Sequence, residues 1–272
     1  MSDYSKELEM AINAAEEAAL LIRNYRDNGN LGIKFKGKND MVTDADLSSE
    51  KKIMEIINDT YPNDEIMAEE TANNKALPQK RTWIIDPIDG TTNFTHGFPI
   101  YCVSIALWED RDAKVGVLLE VNSGELYTAV KGQGAHLNGN TIQVSDVDDP
   151  QHALIGTGFP YNDMSLVEDY IHFFKKMLFE TQGVRRPGSA AYDLCCVAAG
   201  SFDGFYEYSL NPWDVGAASL IIQEAGGVVT DWVGEDNWLY GQRIVAGNPR
   251  IHRFLLESIK KYISEENWVK SD

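Results

Sequence analysis

Apolar residues at the start of the chain recur every three or four positions, which is the spacing of an amphipathic helix. The apolar face of the first predicted helix, residues 4–28, consists of Leu8, Ile12, Ala15, Ala19 and Ile22. The same spacing predicts a second helix that is capped by Thr43 or Asp44 and broken at Tyr61. A short strand ending in two acids is expected from Glu65 to Glu70. The chain up to residue 70 should therefore form two helices and then enter a sheet.

Beyond residue 100, apolar runs are separated by turn residues such as Asn138-Gly139, which predicts an antiparallel meander from 100 to 145. Its expected strands are 101–108, 114–121 and 125–130. After a charged joint ending at Pro150, strand and helix patterns alternate. The expected strands lie near 153–157, 182–186, 202–208, 228–232 and 243–246, and the expected helices near 165–179, 190–199 and 215–225 and from 250. The pattern predicts two halves, 1–149 and 150–272.

The composition is that of an ordinary globular chain. Of its 272 residues, 43% are hydrophobic, the mean hydropathy is −0.31, and no apolar run approaches the roughly 20 residues of a membrane span. The first residues lack the basic and then apolar pattern of a signal peptide. The three cysteines, two of them adjacent, do not suggest a disulfide framework. We therefore expect a cytoplasmic protein that does not bind membranes.

The charge is strongly negative, with 24 Lys and Arg against 42 Asp and Glu and a net charge of −18. Such a field repels nucleic acid, so we expect no direct nucleic-acid partner. It would also repel a phosphorylated substrate. A phosphate-binding function would therefore need metal ions to neutralise the acids.

The densest candidate chemistry lies in residues 83–94. Residues 83–85 predict a short buried strand that ends at Asp86, and Pro87, which has no N–H, is expected to stop the pairing. Asp89 follows three residues after Asp86, so the turn can direct both carboxylates to one point. Hard divalent cations bind such oxygens.

An anion site is predicted directly after these acids. Gly90 permits a backbone conformation closed to other residues, and Thr91 and Thr92 fit the start of a helix whose free N–H groups attract anions. Acids and a helix start so close together suggest cations bridged by a phosphate. A plain polar turn is the alternative, because Asp, Pro and Gly are common turn residues.

The stretch from Trp83 to Phe94, W-I-I-D-P-I-D-G-T-T-N-F, resembles the signature of the inositol monophosphatase family at every position. An acidic pair before it and a P-W-D motif after it occur in the family's order, and the resemblance extends from about Lys36 to Pro249. It implies a layered α-β-α-β-α sandwich of the sugar-phosphatase type, in the α+β or α/β class. It also implies a Mg2+-dependent, Li+-sensitive phosphomonoesterase that forms homodimers.

The resemblance implies two to three Mg2+ ions per subunit, at the junction of the two halves. Glu69, Asp86 and the carbonyl of Ile88 would bind one ion, and Asp86, Asp89 and Asp214 the second. Glu69 would also reach a third ion, partly through water. Taken alone, an acidic pair is usually a solvated surface and an Asp such as Asp214 is usually a helix cap.

The catalytic roles are likewise implied by the resemblance. Asp46 would pair with Thr91 to position and deprotonate the attacking water, and Glu70 would orient the metal ligands. Without the resemblance, Asp46 is simply an acid in the first turn of a helix.

The substrate contacts follow from the same resemblance. Backbone and side-chain groups of one segment would hold the phosphate: Gly90, Thr91 and Thr92. A segment similar to the family's G-[ST]-A would contact the substrate hydroxyls: Gly188, Ser189 and Ala190. Glu207 matches a glutamate that binds polyol hydroxyls, and Lys36 matches a basic residue of the N-terminal loop if a one-residue gap is allowed.

Several functions stay open at this point. Myo-inositol monophosphate is the first expected substrate, with fructose 1,6-bisphosphate, histidinol phosphate and other sugar or polyol phosphates as alternatives. Residues 157–160, Thr-Gly-Phe-Pro, depart from the human-type pattern and resemble bacterial-type members. A protein of a different class, a non-catalytic regulatory partner-binding protein on the same fold, is the remaining hypothesis.

Overall fold

The computed structural model describes residues 4–29, 31–37, 40–71, 80–161 and 163–269. Two helices form the first layer, α1 (Ser5–Asn28) and α2 (Asp44–Thr60). The chain leaves α1 through Gly29 in a left-handed conformation, and Thr43 caps α2 with its hydroxyl. A hairpin of β1 (Lys34–Gly37) and β2 (Asp40–Val42) connects the helices. Both helices predicted for this region are confirmed.

A large sheet follows, and within the described residues it has seven strands in sequence order. These strands are β3 (Glu65–Ala68), β4 (Thr82–Asp89), β5 (Cys102–Glu109), β6 (Asp112–Glu120), β7 (Leu126–Val130), β8 (Ala135–Leu137) and β9 (Asn140–Ile142). β3 and β4 pair in parallel, and all later neighbours pair antiparallel. The predicted meander is therefore confirmed, with two further short strands at its end.

The second sheet has five described strands in the order β11-β10-β12-β14-β13. They are β10 (Leu154–Thr157), β11 (Gly183–Arg185), β12 (Gly204–Tyr208), β13 (Val228–Thr230) and β14 (Arg243–Gly247). The helices of this half are α4 (Val167–Glu180), α5 (Ala190–Ala198), α6 (Pro212–Glu224) and α7 (Pro249–Tyr262), whereas the short α3 (Thr91–His96) follows β4. The predicted alternation of strands and helices is confirmed.

Three apolar cores separate five layers in the described part of the chain. The first core joins α1 and α2 to one face of the large sheet. The second places α5 and α6 between the large sheet and the small one. The third joins the outer face of the small sheet to α4 and α7. This is the expected α-β-α-β-α sandwich.

Each sheet lies within one of the two predicted halves, whereas the middle core contains residues of both. The division at residues 149 and 150 therefore stays a prediction. None of the helices in the described ranges combines the length and the apolar character needed to cross a bilayer.

Two boundaries near the candidate chemistry differ from the expectation. β4 does not end at Asp86 but continues through Pro87 to Asp89, because its pairing with β5 shifts register between Asp86 and Asp89. Such an irregularity accommodates a residue that cannot donate to the ladder. α6 begins at Pro212 rather than Val215, because proline suits the first turn of a helix.

Candidate active site

The site begins at the irregular end of β4. Ile84 packs in the middle core, and Asp86, two residues later on the pleated strand, points to the same side, toward α6. Asp86 is only 1% exposed, and one of its oxygens, Oδ1, accepts a hydrogen bond from the Ile88 N–H at 3.0 Å. The register shift then leaves Asp89 beside Asp86 on this edge.

Asp214 completes an acidic cluster from the other half of the chain. It lies in the first turn of α6, where its Oδ2 accepts a hydrogen bond from the Asn211 N–H at 2.6 Å. Asp86, Asp89 and Asp214 each offer a carboxylate oxygen, and these atoms all lie within 4.8 Å of one another. The structure therefore brings together three of the acids that the sequence singled out, although two are separated from the third by more than a hundred residues of chain.

Glu69 lies next to this cluster because β3 runs parallel to β4. The Glu69 N–H continues the pairing by donating to the Ile85 carbonyl at 3.2 Å, so both strands end at the same edge. Burial and the nearby charge of Asp214 raise the pKa of Glu69 well above its ordinary value. Burial and the charge of Glu69 act in the same direction on the pKa of Asp86.

Asp89 is held by the second half of the chain. Its Oδ2 accepts hydrogen bonds from the Ser189 hydroxyl and the Ala191 N–H, both at 2.7 Å. These bonds favour the charged form, but burial outweighs them and raises the pKa of Asp89 to about 6. The cluster thus concentrates negative charge, which the nearby cations Arg186 and Lys36 offset only in part.

The donor set fits a hard divalent cation. Carboxylate oxygens are ligands that Mg2+ prefers, and the described cluster of Asp86, Asp89 and Asp214 contains neither histidine nor cysteine. Buried carboxylates that repel one another gain most from an ion between them. The acids present therefore fit Mg2+.

Asp46 faces this cluster from the start of α2, with its two oxygens in different roles. Oδ2 accepts from the backbone N–H of Thr43 at 2.7 Å and from the Thr43 hydroxyl, which closes a capping box. Oδ1 accepts a hydrogen bond from the Thr91 hydroxyl at 3.2 Å. The oxygen of the same hydroxyl lies 3.0 Å from the carbonyl oxygen of Ile88. Asp46 is fully buried, and burial raises its pKa to about 6. One carboxylate thus serves both the helix cap and the candidate chemistry.

Glu70 and Lys36 form an ion pair at the edge of the site. The Lys36 ammonium lies 3.0 and 3.1 Å from the two Glu70 oxygens, and the Glu70 side chain is only 3% exposed. The Glu70 N–H donates to Glu50 at 2.8 Å. Glu70 therefore has a fixed position one residue beyond Glu69.

The predicted phosphate-binding segment lies at the start of α3. Gly90 precedes the helix with a φ of +98°, and a side chain there would crowd the backbone carbonyl of Ile100 at 3.0 Å. Only glycine adopts this conformation at low cost. Thr91 and Thr92 follow in the first turn, where helix geometry leaves N–H groups without an intrahelical acceptor.

A cavity of about 140 Å³ opens beside the acidic cluster. Its lining includes the predicted residues Asp89, Gly188, Ser189, Ala190, Glu207 and Asp214. Glu207 reaches it because side chains of β12 alternate, with Tyr206 and Tyr208 in the outer core and Glu207 on the inner side. Burial and the charge of Asp214 raise the pKa of Glu207 to about 8.

Four further lining residues were not among the predicted site residues, although one of them, Gly158, lies in the segment 157–160 noted above: Gly158, Arg186, Asp193 and Leu210. A side chain at Gly158 would overlap the carboxylate of Glu207, so Gly158 makes room for that carboxylate. Asp193 carried a signal, since it is a single charge within the apolar run 190–199. A buried acid in such a run commonly has a functional reason.

Comparisons with known proteins agree with this geometry. Residues 3–264 match the Inositol monophosphatase family. The chain is 42% identical over 259 residues to the putative Nus factor SuhB of Neisseria meningitidis, covering 94% of this chain and 98% of that protein. The crystal structure of extragenic suppressor protein suhB from Bartonella henselae superposes with a TM-score of 0.89 at 36% identity, covering 95% and 100% of the two chains. Inositol monophosphatase from Anabaena superposes with a TM-score of 0.86 at 34% identity, covering 98% and 100%. The fold, the acids and these similarities together establish that the chain belongs to the inositol monophosphatase family.

Proposed function

We propose that this protein hydrolyses phosphate monoesters of polyols with Mg2+, and that myo-inositol monophosphate is its substrate. The observation that carries the proposal is the cluster of Asp86, Asp89 and Asp214 directly beside the Thr91–Asp46 pair. A cation-binding cluster next to a hydroxyl and a buried base is what in-line attack of water on a phosphate requires.

In this proposal Glu69, Asp86, Asp89, Asp214 and the carbonyl of Ile88 hold two to three Mg2+ ions. Bound Mg2+ would supply Lewis acidity toward water and toward the phosphate oxygens. Every protein ligand named here is an oxygen atom, in agreement with a hard cation.

In the proposed reaction, the chain's own residues orient the attacking water and accept its proton. The Thr91 hydroxyl, between Asp46 and the Ile88 carbonyl, orients the attacking water. Asp46 takes the proton from this water through Thr91, and its pKa of about 6 suits a base near neutral pH. Glu70, fixed by Lys36, orients the ligands.

The phosphate and its alcohol would occupy neighbouring places. The backbone N–H groups of Gly90, Thr91 and Thr92, at the start of α3, meet the phosphate charge. The polyol enters the cavity lined by residues 188–190 and Glu207, where it donates hydroxyl hydrogens to the Glu207 carboxylate. The same cavity admits other small sugar or polyol phosphates, fructose 1,6-bisphosphate and histidinol phosphate among them, which stay as alternative substrates.

A phosphate-release assay over sugar, polyol and nucleotide monophosphates, with Mg2+ and with EDTA, tests this function. We expect release from myo-inositol monophosphate only with Mg2+, and inhibition by Li+ at roughly millimolar concentration, the lithium sensitivity that the family resemblance implies. Asp214→Asn should abolish release without unfolding the protein, because it removes a charged ligand while the asparagine oxygen can still accept from the Asn211 N–H. Release that persists in EDTA, or in Asp214→Asn, would contradict the proposal.

A second candidate function is regulatory, because the Neisseria relative is named a putative Nus factor. The net charge of −18 disfavours direct binding of nucleic acid, so a regulatory partner of this chain would be a protein. Asp214→Asn separates the two roles, since it should remove hydrolysis and leave a surface interaction intact.

The remaining parts of the proposal concern the state of the protein. We propose a homodimer, which sedimentation velocity would detect. We also propose a cytoplasmic location, with the support that Cys102, Cys195 and Cys196 are free and buried.

A further inference from the structure

Asp193 is a buried acid for which the proposed reaction has no role so far. It lies in α5, is 1% exposed and lines the cavity beside the acidic cluster. Its Oδ1 has no hydrogen-bond partner among the described residues. Buried carboxylate oxygens nearly always accept hydrogen bonds, so Oδ1 is free to accept one from a molecule that enters the cavity.

The surroundings of Asp193 do not supply such a donor. Arg186 is the basic side chain among the described lining residues; its charge acts to lower the pKa of Asp193, but it makes no hydrogen bond to Oδ1, and its guanidinium carbon lies 5.3 Å from the ring centroid of Tyr161. Glu207 faces the same cavity, and its charge, together with burial, raises the pKa of Asp193 well above the ordinary value. Two acids thus face one small cavity with few donors.

Asp193 lies in the first turn of α5, where the helix dipole favours an acid, but this effect does not require a buried carboxylate without a hydrogen-bond partner. Ser189 already caps α5, with its hydroxyl accepting from the Tyr192 N–H at 3.4 Å. Helix α5 is otherwise apolar at its buried positions, from Ala191 to Ala198. An apolar residue at 193 would suit the helix better, since a buried polar group without a partner destabilises the fold.

We propose that Asp193 accepts a hydrogen bond from the alcohol part of the substrate, alongside Glu207. The inference rests on the proposed phosphatase function and narrows its substrate class. The preferred ester then carries at least two hydrogen-bond donors on its alcohol, one for each carboxylate. Hydroxyl and ammonium groups share this donor chemistry, and the substrates used in the test distinguish them.

The first experiment uses the wild-type protein, so it does not depend on a variant that folds. We would measure kcat/KM with Mg2+ for myo-inositol monophosphate, for its singly deoxygenated analogues, for an amino-alcohol phosphate and for an aryl phosphate. We expect deoxygenation at two positions to reduce kcat/KM roughly 10- to 150-fold each, the range for a hydrogen bond to a charged group. Preference for the amino-alcohol phosphate would identify ammonium as the donor for this site.

The second experiment compares Asp193→Asn with Asp148→Asn, which makes the same chemical change at a side chain that is 67% exposed. Asp193→Asn should lower kcat/KM for the polyol phosphate roughly tenfold and leave the aryl phosphate within about twofold. Asparagine keeps an oxygen that can accept a hydrogen bond but carries no charge, so one of the two deoxygenations should reduce kcat/KM less in this variant than in the wild type. Thermal unfolding in EDTA should occur at the same or a higher temperature, because a buried charge has been removed.

The outcomes separate this inference from the proposed function. Equal losses for polyol and aryl phosphates in Asp193→Asn, or a lowered unfolding temperature, would overturn the role of Asp193. A deoxy series in which only one position matters would overturn it as well, even if the variant fails to fold. No Mg2+-dependent release from any of these phosphates by the wild-type protein would instead contradict the phosphatase function itself.

Discussion

Replacing Asp89 by asparagine tests whether the buried acids need a cation. Burial raises the pKa of Asp89 from 3.8 to about 6, so the metal-free fold binds this proton more tightly than the unfolded chain does. A raised carboxyl pKa means that stability is highest below pH 3.8 and is lost as the pH rises to about 6. At about 1.36 kcal/mol per pH unit, the charged form lowers the free energy of unfolding by about 3 kcal/mol at pH 7.

Asparagine keeps an oxygen that can accept from Ser189 and Ala191 but carries no charge. In EDTA at pH 7, Asp89→Asn should therefore be more stable than the wild type by up to about 3 kcal/mol, and the difference should vanish at about pH 4. Mg2+ should reverse the order. A ligand at a thousandfold its Kd stabilises the protein that binds it by about 4.1 kcal/mol, which exceeds the difference of about 3 kcal/mol, and the variant lacks one charged ligand.

Urea unfolding followed by circular dichroism, between about pH 4 and 8 in EDTA and in Mg2+, measures these differences. Asp148→Asn serves as the control and should change neither the pH dependence nor the response to Mg2+. A variant that is less stable than the wild type in EDTA at pH 7 would refute the repulsion argument. A wild-type protein that Mg2+ does not stabilise would refute the cation site.

Three further substitutions test parts of the site separately. Thr91→Val removes the hydroxyl that contacts Asp46 and should lower kcat by roughly 10²- to 10⁴-fold with little change in KM, in steady-state kinetics. Gly158→Ala should force the Glu207 carboxylate aside and reduce kcat/KM for polyol phosphates roughly 100-fold, while an aryl phosphate is spared. The amide of Asn93 donates to two backbone carbonyls, one of them in the loop before α5, so Asn93→Ala should lower the free energy of unfolding by about 1–3 kcal/mol. Unchanged kinetics in the first two, or unchanged urea midpoints in the third, would contradict these roles.

Most of the fold was predictable because its patterns are local. The helical periodicity of residues 4–28 and the turn residues between strands describe elements whose boundaries neighbouring residues decide. The end of β4 was not predictable in this way. Asp86 and Pro87 look like a strand end, and pairing with β5 carries the strand past them to Asp89.

The same distinction, between features decided by neighbouring residues and features decided by distant segments, applies to the candidate site. Asp86 and Asp89 lie in one recognisable motif, whereas Asp214 was connected to them only by the resemblance to a family. Arg186 and Asp193 were missed because their places depend on how α5 and its preceding loop lie against the cavity. Packing between distant segments decides such positions, and no short stretch of sequence records it.

The alternation along β12 has a consequence for how this protein can change over generations. Tyr206 and Tyr208 anchor the strand in a dense group of rings on its far side, so the backbone at Glu207 is fixed without help from that carboxylate. Natural variation at this one position can then alter which alcohol is recognised while the architecture stays as it is. Substitution of Glu207 would therefore change substrate selectivity and keep the fold, whereas substitution of Tyr206 or Tyr208 would disturb the packing of the rings.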